Sequence, residues 1–187
     1  TQSAHEQGFQ LLLWPNAADD VASLTDLVSQ QLVDGVIVME VQSDDPRIEL
    51  FRERGVRFVL LGRNSDPSGL TYVDTDFRES ARTALEYLVD RGHRTILFVG
   101  EDRVAQGHGP MVRTITELEA SARRFGVTLD RFAGPRTYGT GRAAYRHLAA
   151  SANPATAAIV FNDQATVGFV NAAQLAGRLV PDDLSVL

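Results

Sequence analysis

The residues best equipped to hold or transform a small molecule are Asp76, Arg113 and the pair Asn162-Asp163. Asp76 ends the run VDTD (73–76), directly ahead of a helical pattern. Its carboxylate could accept hydrogen bonds from ligand hydroxyls, or take up the free N–H groups of the helix's first turn. Asn162-Asp163 follows AAIVF (157–161), an apolar run of strand length. The pair therefore stands at the carboxyl end of a strand, the side on which open parallel sheets bind ligands. Asparagine carries donor and acceptor together, which suits a polyol or a base edge, and helix capping is the competing use. Arg113 opens a helix after a polar loop, where it could grip a carboxylate, a phosphate or vicinal hydroxyls, or simply stay solvated.

Other motifs lead away from catalysis. Gly139-Thr140-Gly141-Arg142-Ala143-Ala144 matches G-x-G-x-x-A, with Asp163 about 20 residues on, as a dinucleotide site would have it. That motif needs a buried strand just before its first glycine, and here the preceding run is GPRTY, so a glycine-rich helix start is expected. His5, His93, His108 and His147 lack the i, i+4 pairing of a zinc site, and His93 reads as a local cap for the last carbonyls of a helix. No G-x-S-x-G elbow is present. The chain has no cysteine, which fits a reducing compartment, and all 18 of its basic residues are arginine. Thiolate ligands, Schiff-base lysines and the Walker lysine are thereby excluded. Catalytic residues, a metal site and a cofactor are accordingly not expected. A net charge of −6 with scattered arginines makes a poor nucleic-acid surface. No apolar run approaches the ~18 residues that span a bilayer.

Positioning these groups falls to a regular alternation of strands and helices. The organising stretch is 72–100: a short extended piece, a helix over 77–91 with Ala81, Ala84, Leu85, Leu88 and Val89 on one face, a stop at Gly92, and a buried strand over 95–99. Before it, 1–8 reads as the end of a helix, 9–14 as a buried strand, and 15–16 as a turn. A helix capped by Asp19 or Asp20 follows, then a strand over 36–39, a helix opened by Pro46 and a strand over 57–61. After it come a helix over 111–125, an irregular stretch over 126–140 with one short strand near Phe132, and a helix over 141–151. A strand over 157–161, a helix from Asn162-Asp163 to Gln174 and a final strand over 184–187 complete the order. This predicts an α/β fold of parallel sheets flanked by helices in two lobes, 1–76 and 77–187. Both ends read as cut, the first lobe lacking its first strand and the second its final segment.

In their order and spacing, DGVIVM (34–39), RFVLLGR (57–63), VDTDFRESARTALEYLVDRGHRTILFVG (73–100), AAIVFNDQATVG (157–168) and VPDDLSVL (180–187) resemble the effector-binding domain of lac-repressor-like (LacI/GalR) bacterial transcription regulators. The resemblance implies a periplasmic-binding-protein-like fold with a small polar effector, most simply a sugar, held between the lobes. Residue by residue, it assigns effector contacts to Asp76, Arg113, Asn162 and Asp163. The covering aromatic of the family falls on Arg136, with Tyr138 close enough to replace it, while Thr116 and Glu117 stand where the family has a glycine-aromatic pair. It further implies a cytoplasmic homodimer that reaches DNA through a headpiece absent from this chain, with no cofactor and no membrane contact. The same fold would also serve a secreted sugar-binding protein of a transport system, and an enzyme working through the Gly139 loop is a distant third reading.

Overall fold

A computed structural model describes residues 2–14, 21–30, 32–103 and 107–187. The turn at 15–16 and the capping carboxylates Asp19 and Asp20 lie outside the described residues.

Helices α1 (Gln2–Glu6) and α2 (Val21–Ser29) precede a first set of parallel strands: β1 (Val36–Val38), β2 (Phe58–Leu61) and β3 (Tyr72–Val73), with α3 (Pro46–Glu53) between the first two. They form one three-stranded sheet in the order β1-β2-β3, Val36 facing Phe58 and Leu60 facing Tyr72. Because successive side chains in a strand point to opposite faces, Val38 and Leu60 pack inward against Leu24 and Leu27 of α2 and Ile48, Leu50 and Phe51 of α3. Ile37, Met39, Leu61 and Val73 face outward and are exposed. Asp45 caps α3 through a hydrogen bond from the Arg47 N–H.

The run 9–14 is not the strand its apolar character predicts. It is irregular, and Phe9, Leu11, Leu12 and Leu13 are all exposed. A buried parallel strand needs ladder partners and a layer on each face, and the described residues supply this run with neither.

The second lobe follows α4 (Phe77–Asp90). Its strands are β4 (Thr95–Glu101), β5 (Thr128–Gly134), β6 (Ala157–Val160) and β7 (Ser185–Val186), and its further helices α5 (Gly109–Phe125), α6 (Tyr138–Ala150) and α7 (Asp163–Leu175). The sheet is parallel, in the order β5-β4-β6-β7. Alternation along β4 divides the core in two. Ile96 and Phe98 join Leu85 and Leu88 of α4 and Met111 and Leu118 of α5. Leu97 and Val99 join Ala144, Tyr145 and Leu148 of α6 and Phe169 of α7. Helix α4 therefore packs with the second lobe. It ends as its sequence predicts, with Gly92 at φ +90°, a left-handed conformation that suits glycine. The His93 N–H then donates to the Leu88 carbonyl at 3.1 Å. The His93 ring does not cap the helix; its Nδ1 lies 2.8 Å from Thr156 Oγ1, because the chain turns at once into the sheet beside β6.

Two further expectations are corrected. The stretch 126–140 contains a full seven-residue strand, β5, paired with β4 along its whole length. As an edge strand with polar Thr128, Asp130 and Arg131 it lacks the continuous apolar signal of a central one. Helix α6 starts three residues early, capped by Thr137 through the Thr140 N–H. Gly139 and Gly141 thus sit inside a helix, where they cannot cradle phosphate. Their neighbourhood gives Gly141 another purpose: a Cβ there would overlap the Ala165 carbonyl and the Phe169 amide, and a Cβ on Gly168 would overlap the Tyr138 carbonyl. Helices α6 and α7 cross with backbones in contact, which glycine alone permits.

The lobes also meet away from the crossover. Gln42 and His108 form an isolated antiparallel bridge, and the Ser43 N–H donates to the Gly107 carbonyl at 2.8 Å. No helix among the described residues is long and apolar enough to cross a membrane.

Candidate functional site

Among the described residues the seven strands run parallel within their sheets, so each lobe presents its carboxyl ends together. Lobe one brings Glu40 after β1, Gly62-Arg63 after β2 and Asp74-Thr75 after β3. Lobe two brings Glu101-Asp102-Arg103 at β4, Arg136 after β5 and Asn162-Asp163 after β6. These are the positions at which open α/β sheets bind ligands. Against the lobe-one ends lies a cavity of about 280 Å³, walled by Glu40, Val41, Gly62, Asp74 and Thr75 and closed from the other side by Phe77, His108 and Pro110 at the starts of α4 and α5.

Arg113, on the first turns of α5, clamps the lobes. Its Nη2 donates to Asp74 at 2.8 Å and its Nη1 to the Arg63 carbonyl at 3.1 Å, while the guanidinium lies 5.5 Å from the Phe77 ring centroid. Arg63 also faces Asp74, at 3.4 Å. Burial disfavours the Arg113 cation and moves its pKa below the ordinary value, with the Asp74 carboxylate opposing the change. Arg113 Nε is buried without a partner among the described residues.

A second set of charges crosses the gap beside it. Glu40 holds a left-handed backbone, φ +53°, rare for a residue with a side chain and costly enough to need support from its surroundings. Its carboxylate accepts from Arg103 Nη1 at 2.7 Å and meets His108 Nε2 at 3.3 Å. Burial raises the Glu40 pKa, but the Arg103 hydrogen bond and charge, helped by His108 and Arg136, outweigh it and hold the group below its usual range. His108 is buried, which with the Arg103 charge lowers its pKa against the pull of Glu40. Its Nδ1 has no partner among the described residues. Glu101 then links Arg103 at 3.8 Å to Arg136 at 3.9 Å, and Arg136 reaches Asp163 at 3.7 Å.

The expected residues divide accordingly. Arg136 and Asp163 come together, and Asn162 is adjacent. Asn162 caps α7, its Oδ1 accepting from the Ala165 N–H at 2.8 Å, while its buried Nδ2 is left without a partner among the described residues. Arg113 reaches the same gap, although its guanidinium is occupied by Asp74. Asp76 caps α4, accepting from the Glu79 N–H at 3.0 Å, and borders a shallow groove of about 500 Å³ on the outer flank of α4 with Ser80, Thr83, Tyr87 and Leu187. Tyr138 is half exposed on the first turn of α6. Sequence reasoning overlooked Glu40, Asp74, Glu101, Arg103 and His108. A usable signal was there: Glu40 closes VIVM and Glu101 closes TILFVG, so each is the first charged residue after an apolar run. Among the described residues no group of three or more histidine or acidic side chains could hold a metal ion.

Comparison with known proteins agrees with this architecture. Residues 85–187 match the family described as periplasmic binding protein-like domain. The regulator CelR of Thermobifida fusca, an HTH-type transcriptional regulator, is 30% identical over 97% of this chain and 54% of its own length. A LacI family transcriptional regulator from Bifidobacterium animalis superposes with TM-score 0.88 at 24% identity, over 99% of this chain and 68% of that one. A LacI family transcriptional regulator from Enterococcus faecium, solved with bound ribose, superposes with TM-score 0.79 at 22% identity, over 97% and 66%. The chain spans about half the length of the curated relatives it matches. It belongs to the periplasmic binding protein-like domain family.

Proposed function

We propose that this chain is the effector-binding part of a DNA-binding transcriptional regulator and that the gap between its lobes, 1–76 and 77–187, holds a small polar ligand. The observation that carries the reading is the convergence of strand carboxyl ends on that gap, where buried polar atoms of Asn162, His108 and Arg113 lack partners among the described residues. Buried donors of this kind are costly unless a ligand or water completes them. In this reading Asn162 and Asp163 meet the ligand from lobe two, Arg136 and Tyr138 cover it, and Arg113 and Asp76 meet it from the α5 and α4 termini. A neutral sugar is the simplest occupant, in keeping with the ribose held by the Enterococcus relative. The site binds and does not transform.

Ligand occupancy shifts DNA affinity only as far as it favours one lobe arrangement over another, typically by ~1–3 kcal/mol. DNA contact belongs to a headpiece outside this chain, carried by a cytoplasmic homodimer whose two copies read a paired site. The regulator names of the relatives favour this over a transport protein. Calorimetric titration with a panel of neutral sugars tests the reading. One of them should bind, and Asn162→Asp, which keeps the cap acceptor but removes the amide donor, should weaken it about tenfold. An empty panel, or unchanged affinity in that variant, would count against it.

A further inference from the structure

Glu101 is the residue the proposed site has yet to use. It is the last residue of the central strand β4, and it is 3% exposed. Its nearest cations, Arg103 and Arg136, stand at 3.8 and 3.9 Å, outside hydrogen-bond range. No described residue donates a hydrogen bond to its carboxylate, although an ionised carboxylate offers about four acceptor positions. Arg136 is its complement: among the described residues it has only the long pairs to Glu101 and Asp163, and its half-exposed guanidinium is free to exchange water for a ligand. Arg103, by contrast, is already committed to Glu40 at 2.7 Å. The gap thus offers side by side a buried acceptor short of hydrogen bonds and a donor free to take a ligand, within a group of charges that also contains Glu40 and Asp163.

We propose that Glu101 is the charge filter of this site: with Arg136 it accepts and donates hydrogen bonds to vicinal hydroxyls of a neutral polyol, and it excludes the corresponding acids. One hydroxyl donates to the Glu101 carboxylate, and the oxygen of its neighbour accepts from Arg136. A ligand carboxylate or phosphate at the same place offers Glu101 no proton and meets three carboxylates, Glu40, Glu101 and Asp163, against one uncommitted guanidinium. Glu101, with its side chain 3% exposed, supplies most of that repulsion, because Glu40 and Asp163 are solvent-exposed and their charges are screened. The selectivity lies in what is repelled as much as in what is held.

The proposal rests on the ligand reading of the gap, and its test separates the two. The protein and its Glu101→Gln variant are titrated calorimetrically with D-ribose and D-ribonate, and with D-glucose and D-glucuronate. The unaltered protein should bind a neutral aldose at least about tenfold more tightly than its acid, and Glu101→Gln should shrink that ratio about tenfold, chiefly by strengthening the acid. Arg136→Gln should move the ratio the other way, which keeps the test decisive if the Glu101 variant folds poorly. Glu119→Gln, on the outer flank of α5 and paired with Arg131, is the control and should leave the ratio unchanged. A preference of the unaltered protein for the acid, or a ratio indifferent to both Glu101→Gln and Arg136→Gln, would overturn the filter while leaving the ligand site standing. Failure of every sugar and acid to bind the unaltered protein would overturn the ligand reading, and the filter with it.

Discussion

Asp74→Ala should be among the most damaging single changes in this chain. The Asp74 and Arg113 side chains are 7% and 10% exposed, and they meet at 2.8 Å. Removing the carboxylate leaves the Arg113 cation buried and brings it under the influence of Arg63, which also lies beside Asp74. Breaking a buried pair from one side typically costs about 3–5 kcal/mol. The lower end, about 3 kcal/mol, is expected here, because the Arg63 carbonyl still accepts from Arg113 Nη1. Replacing both partners by apolar residues, Asp74→Leu with Arg113→Met, should recover most of the loss, since no uncompensated charge remains. Urea unfolding of the original, the two single variants and the double variant gives the coupling directly, expected at about 2 kcal/mol. A cost below about 1 kcal/mol for Asp74→Ala would mark the pair as solvated and would refute the clamp.

Three further outcomes are expected. Gly141→Ala should destabilise by about 3 kcal/mol, because the methyl meets backbone on α7 that cannot step aside, and thermal unfolding of that variant beside Gly139→Ala, which has room, gives the comparison. Asp76→Ala should cost about 1 kcal/mol through the lost α4 cap, while Asp76→Ser restores the cap without the carboxylate, so any ligand affinity still missing in the serine variant measures contact with ligand and not helix stability. The pH dependence follows from His108: its pKa is lowered by burial and by Arg103, so below pH 6.5 the unfolded chain binds protons that the folded one refuses, and stability should fall as pH drops through that window. His108→Gln should flatten that slope in urea midpoints, whereas the depressed Glu40 acts only lower, as pH falls below about 4.5.

Much of the fold could be read from local chemistry. The Asp76 cap, the left-handed Gly92 and the apolar face of α4 are determined by near neighbours in the chain, and all three stand where periodicity puts them. The run 9–14 was read as a strand it does not form, and β5 was read as shorter than it is, for opposite reasons. Leu11, Leu12 and Leu13 carry a strong strand signal that no partner satisfies, while Asp130 and Arg131 dilute the signal of a segment that β4 pairs along its entire length. The glycines at 139 and 141 imitated a phosphate loop because close backbone approach is the shared requirement, to pyrophosphate in one case and to α7 in the other. In the candidate site, Arg113 at the start of α5 and Asn162-Asp163 at the end of β6 were legible as candidates from order and spacing. Glu40, Asp74, Glu101 and Arg103 acquire their meaning only across the gap, where Glu40 and Arg103 are 63 residues apart in sequence, and no local pattern encodes that meeting.

The central claim is that a ligand occupies the space between the carboxyl ends of the two sheets. Amide hydrogen exchange, followed with and without whichever sugar gives a calorimetric response, addresses it most directly. Slowed exchange should concentrate at 39–42, 73–77, 100–103, 107–109 and 161–165, on both sides of the gap at once. Protection confined to one lobe, or to the outer flank of α4 around Thr83 and Tyr87, would contradict it.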